Sequence, residues 1–250
     1  MAETKVHSCN LDAQMVQGML YGLKIGPDPA APTTRLRIYS GSTAGADDGS
    51  RLIRVGTNLT LNSAGSGANG LDTGALVNAT WYYIYLILKP ATETVASLLS
   101  ASATAPTLPA GYTIKRRVGA VYYLTASGLR KFYQRNCRVT YSDAALIFSG
   151  VPDSGWSSVN LVSGKYFPST GRSAAFQIRG PHTGCQLYLS PDGEGQHFVG
   201  ASGGNSSDRQ DGDGSVDLIL PTGVVHIYRA GGNSENTTRI YLSSYEDDLV

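Results

Sequence analysis

The sequence predicts an all-β protein: two antiparallel β-sandwich-like domains behind a short N-terminal segment. Three observations carry that expectation. Short runs of β-branched, aromatic and leucine residues recur along the chain, each bounded by Gly, Pro, Asn, Asp or Ser. Helical periodicity appears at one place only. The runs also follow one another without intervening helices, which is the pattern of antiparallel sandwiches or barrels rather than of a parallel sheet.

In chain order, the helical pattern comes first. Leu11, Met15 and Met19 recur every four residues with Val16 and Leu20 beside them, Asn10 is placed to cap the start, and Gly18 or Gly22 ends it. Strand signals follow at 20–26 (LYGLKIG), 35–41, 51–56, 81–88 (WYYIYLIL), 94–100, 117–125, 130–134, 137–142, 144–150, 156–162, 174–180, 185–190, 216–221, 224–230 and 238–244. The LYLS and IYLSS runs alternate apolar and polar residues, as half-buried strands do. WYYIYLIL does not alternate, so it predicts a central strand covered on both faces, the second cover coming from another sheet or another copy of the chain. Pro90 ends it because proline has no N–H for a ladder. Gly74 and Asn78–Ala79–Thr80 before it are connection chemistry. The stretch 42–50 (STAGADDGS) reads as a surface loop, and 201–214 (ASGGNSSDRQDGDG) as an exposed loop tip. A boundary near Arg135 divides the chain into an N-terminal segment, 1–20, and two β domains, 21–135 and 136–250.

Composition narrows the function. Charged residues are 16% of the chain, against the ~25% of an average soluble domain, and the net charge is +1. Such a chain has no field to hold a polyanion, which argues against nucleic acid. No apolar run approaches the length of a membrane helix, so no membrane insertion is expected, and the N-terminus has no apolar stretch behind its charges, unlike a signal peptide. Cys9, Cys137 and Cys185 are too few and too widely spaced for a disulfide framework or a metal clip, and read as thiols of a chain made in a reducing cytoplasm. The sequons at Asn58, Asn78, Asn205 and Asn236 carry no meaning for such a chain.

Catalytic chemistry is not written in the sequence. His7, His182, His197 and His226 have no metal spacing, and neither a GxSxG nor an HExxH motif occurs. Asp192 and Glu194 have the residue types of a glycosidase pair, but SPDGEG is turn chemistry. Asp211, Asp213, Ser215 and Asp217 alternate as calcium ligands do, yet Val216 stands where the loop needs glycine and Thr222 where it needs glutamate. The expectation is therefore no metal, no cofactor and no enzymatic activity. Lys115-Arg116-Arg117 reads as charge on a strand edge that blocks sheet association. The candidate interaction residues lie in two loops: Asn69, Asp72 and Asn78 in the first, and Asn205, Asp208, Arg209, Asp211 and Asp213 in the second.

The stretches GLDTGALVNATWYYIYLI (70–87) and TVASLLSASATAPTLPAGYTIKRRVGAVY (94–122), with the upstream strand at 22–26, resemble a module of tailed-bacteriophage virion proteins, especially tail fibres. The resemblance rests on Gly70–Gly74, Thr80–Ile87, Leu98–Ser100 and Pro106–Gly119 in that order, and covers about 20–135. It implies a structural virion component, a tail-fibre, tail-tip or fibre-adaptor subunit made in the bacterial cytoplasm and serving assembly and host attachment. In that setting the N-terminal segment is an anchor, the partners are other virion proteins, and a homotrimer would cover the second face of the central strand. The loop before that strand would lie at the surface, where neighbouring chains pack. The C-terminal domain would meet a host surface glycan or a partner protein. A capsid decoration or head-fibre protein is the near alternative. A glycan depolymerase, or a carbohydrate-binding module relying on exposed tyrosines or Trp156, are the more distant ones.

Overall fold

The computed structural model describes residues 19–150, 156–179, 185–193, 197–198, 214–231 and 238–249. All regular structure among them is β, in sheets whose pairings are antiparallel with one two-residue exception. The helical pattern before residue 19 falls outside the described residues; Leu20, its last apolar member, lies in a strand. The chain forms two compact units. One holds Met1–Arg130, Gln134–Asn136 and Leu249–Val250; the other holds Lys131–Tyr133 and Cys137–Asp248.

The strands up to residue 135 are β1 (Leu20–Tyr21), β2 (Lys24–Pro27), β3 (Arg35–Ile38), β4 (Thr43–Gly45), β5 (Leu52–Arg54), β6 (Leu59–Asn62), β7 (Gly70–Leu71), β8 (Thr80–Lys89), β9 (Thr94–Ser100), β10 (Ile114–Leu124), β11 (Gly128–Leu129) and β12 (Phe132–Arg135). They give a five-stranded sheet β11-β10-β8-β9-β7, a small sheet β1-β4-β5, and a ladder in which β2 lies between β3 and Gln134–Arg135, with β6 beyond β3. β8 is the central strand that its uninterrupted apolar run predicts. It pairs with β9 over Tyr83–Lys89 and with β10 over Thr80–Leu88, and every residue from Tyr82 to Leu88 is buried. Ile84 and Leu86, also buried, alternate onto the opposite face of β8, and β8 approaches β5.

The other face corrects an expectation. Tyr83, Tyr85 and Ile87 form a core cluster with Ala96, Leu98 and Ala120, and it is Ala103, Leu108 and Tyr112 of the 101–113 connection that close over it. The second cover is thus the chain's own loop, pinned where the Tyr85 hydroxyl donates to the Ser102 carbonyl at 2.9 Å. Neither another sheet nor a second copy is needed there.

A second correction concerns 42–50. Ser42 through Ala46 are buried, and Thr43–Gly45 is β4, paired on both sides. Only Asp47–Ser50 forms the turn that the composition suggested.

The other unit has β13 (Arg138–Gly150), β14 (Ser157–Asn160), β15 (Gly171–Arg179), β16 (Cys185–Ser190), β17 (His197–Phe198), β18 (Gly214–Ile219), β19 (Val224–Gly231) and β20 (Thr238–Asp247). They make two ladders, β18-β15-β20-β13 and β14-β19-β16-β17. The runs 137–142 and 144–150 are one strand, β13, bent by register shifts between Thr140 and Ala145 and between Leu146 and Phe148. Val139, Phe176, Ile178, Leu189, Ile227 and Leu242 build the core, and Tyr245 packs against Tyr141 and Phe167 with ring centroids 5.7 Å from each.

Candidate functional site

The stretches that carry the resemblance meet in the first unit. β7 holds Gly70 and pairs in parallel with Leu98 and Leu99 of β9. Glycine is required there because a Cβ on Gly70 would sit 2.5 Å from the Gly65 carbonyl carbon. Asn69 precedes it at φ +63°, a conformation asparagine tolerates better than most residues. Its side-chain oxygen accepts from the Ser97 N–H at 2.9 Å and the Ser97 hydroxyl at 3.0 Å, while its own N–H donates to the Ser97 carbonyl at 2.7 Å. Asn69 is exposed, yet its amide oxygen is spent on β9.

Asp72 does a similar task one step on. Its N–H donates to the Leu99 carbonyl at 2.8 Å, and its carboxylate accepts from Thr73 N–H at 2.7 Å and from Thr107 N–H at 3.0 Å. It thereby ties the GLDTG turn to the 101–113 loop that covers β8. Asn78 accepts from Thr125 N–H at 2.9 Å and joins the connection before β8 to the turn after β10. All three residues predicted as interaction contacts in the first loop therefore fasten loops, and the surface that remains between them is Thr73–Ala75 and Val77, the last 60% exposed. Trp81, at the start of β8, is half-buried and stacks on Tyr122 with ring centroids 5.3 Å apart.

The basic run is not plain edge charge, which corrects the sequence expectation. Arg116 is 4% exposed; its guanidinium donates to the Leu249 carbonyl and lies 3.6 Å from Asp47. Burial pulls its pKa down, with Asp47 opposing. Lys115 pairs with Asp47 at 2.8 Å, donates to the Thr104 carbonyl at 2.8 Å and lies over the Tyr85 ring, while Arg117 lies over the Tyr83 ring. Burial pushes the Tyr85 phenol well above its ordinary range. These charges hold β10, the β4–β5 turn and the covering loop together.

Of the residues predicted in the second loop, Asn205, Asp208, Arg209, Asp211 and Asp213 lie outside the described residues, as does Glu194. Asp217 is described; it sits 3.7 Å from Arg138, whose guanidinium also donates to Ser244 Oγ at 3.2 Å. Asp192 belongs to a tight turn, where the Ser190 hydroxyl donates to its carboxylate at 2.6 Å and accepts from the Asp192 and Gly193 N–H groups. Among the described residues no three His, Cys, Asp or Glu side chains converge as metal ligands would.

One surface of this unit was only partly legible in the sequence. On β19, Val225 and Ile227 are buried, so Val224, His226 and Tyr228 face the other way, and the register sets Tyr188 of β16 directly opposite Tyr228. Trp156, one residue before β14, continues the line. The Trp156 and Tyr228 ring centroids are 5.3 Å apart, and those of Tyr228 and Tyr188 5.9 Å. A polar row runs beside it, in which Ser158 and Ser190 flank His226. Sequence reasoning singled out Trp156 but could not join it to Tyr188 and Tyr228, because only the strand register brings the three together. No family model matches the chain, and no curated protein matches it in sequence.

Proposed function

We propose that this chain is a structural subunit of a tailed-bacteriophage particle, a tail-fibre, tail-tip or fibre-adaptor protein that serves assembly and host attachment and carries out no catalysis. The observation that supports it most is the way the virion-like stretches combine. GLDTG is fastened to LLS through β7 and Asp72, TWYYIYLI forms the core strand, and the segment leading into KRRVG closes over it. The order and spacing of the resemblance thus belong to one interlocked unit, and the loop between its first two parts is exposed at Thr73–Ala75 and Val77, where a neighbouring chain can pack. We read both units as sandwich-like, the protein as made in the bacterial cytoplasm and built into the virion, its partners as other virion proteins, and its assembly as a homotrimer. The trimer draws on the symmetry of fibres, since β8 needs no cover from a second copy.

A capsid decoration or head-fibre subunit would use the same interlocked unit. Mass spectrometry of density-purified particles from the phage or induced prophage that carries the gene tests the common part of the reading. The expected result is the chain at a fixed ratio to the major tail or capsid protein. Its confinement to the soluble lysate would remove the virion role.

A further inference from the structure

We propose that the row Trp156–Tyr228–Tyr188 is a stacking platform for a pyranose-containing glycan. As the host contact of a particle it rests on the attachment role above; as a binding site it rests on its own geometry. Strand alternation puts the three rings on the face opposite the core residues Val225, Ile227 and Leu189. They stand side by side at 5.3 and 5.9 Å, tilted by 36° and 42°, and each residue is half-buried rather than sealed in the core. A ring face carries partial negative charge and attracts cations, other rings, or the weakly positive C–H groups of an apolar surface.

The neighbouring row decides among these. The exposed Ser158 and the half-buried His226 supply a hydroxyl and an imidazole, and the next row adds the exposed Asn160; Ser190, in the same row, is buried with its hydroxyl taken up by the Asp192–Gly193 turn. No lysine or arginine stands in these rows and the chain's net charge is +1, so the backbone of a nucleic acid finds no counter-charge. A ligand with one apolar C–H face and a rim of hydroxyls matches an aromatic row bordered by small hydrogen-bonding groups. That is the chemistry of a pyranose. Cross-strand aromatic pairs also stabilise sheets on their own. The two roles part in experiment, since a purely structural row binds nothing.

The test is native electrophoresis of the purified full chain through gels containing dextran, a β-glucan, a galactomannan or glycol chitin, with tryptophan emission titrated against the same polymers. The chain has two tryptophans, Trp81 and Trp156, so the saccharide-dependent change should vanish in Trp156→Phe. Retention by at least one polymer is expected, weakened about tenfold or more by Trp156→Ala and by Tyr228→Leu, and kept within about twofold in Tyr228→Phe. Tyr21→Ala, which alters an exposed tyrosine of the other unit, should leave retention unchanged. Tyr228→Leu keeps apolar volume, so a folded Leu variant that still binds as the wild type does would overturn the platform. So would absence of both retention and emission change with every polymer. Retention by a protein absent from particles would keep the platform and remove the virion role; a particle protein with no retention would do the reverse.

Discussion

At the scale of single residues, buried or fastened polar groups decide the loops. Asp28 is one example in the first unit. The Ala30 N–H donates to its carboxylate at 2.9 Å, Arg37 lies 3.2 Å away, and the backbone bond above all holds its pKa below 3.8. A depressed carboxylate stabilises the fold above its unfolded pKa and loses that contribution as pH falls through the folded value. The melting-temperature difference between the wild type and Asp28→Asn should therefore be widest near neutrality and shrink as the pH drops below about 3.8. Asn69 offers a second test. Asn69→Ala removes an acceptor for two Ser97 donors and places alanine at positive φ, for an expected loss of about 1–3 kcal/mol in denaturant unfolding. Sequence could not show this. A polar residue in a Gly-rich loop looks the same whether it faces a partner or bonds to the next strand.

At the scale of elements, the reading succeeded where composition and environment agree. Strands 94–100 and 185–190 were legible to the residue, because their leucine-rich apolar runs end in Ser-Ala-Ser and Ser-Pro. It failed where neighbours override composition. Ser42–Ala46 is small and polar enough to resemble a loop, yet it is buried as β4 between β1 and β5. The paired segments of β13 looked like two strands because the Ser142–Asp143 interruption is a bulge in a continuous one. For β8 the prediction is graded by burial. Leu86→Ala, at a fully buried site on β8, should cost about 2–5 kcal/mol. Trp81→Ala, at a half-buried site stacked on Tyr122, should cost less, about 1–3 kcal/mol, and leave a folded protein by circular dichroism. An unfolded Trp81→Ala variant would mean that the rim of β8, not its centre, holds the unit.

At the scale of the whole molecule, the all-β class followed from strand signals spaced without helices, and the described residues carry it throughout. The side-chain constellations were less legible. An aromatic row assembled from residues 156, 188 and 228 exists only once register is known, and the basic run became structural only once Asp47 and Leu249 were placed beside it. The proposed fibre role calls for a homotrimer, so light scattering of the purified chain should give about three times its 26.4 kDa mass. The central claim concerns where the protein works. Gold-labelled antibody to this chain, imaged on intact particles by electron microscopy, tests it most directly. Label on fibres or at the tail tip is the predicted result. Label spread over the head would make it a decoration protein, and particles without label would contradict the virion account altogether.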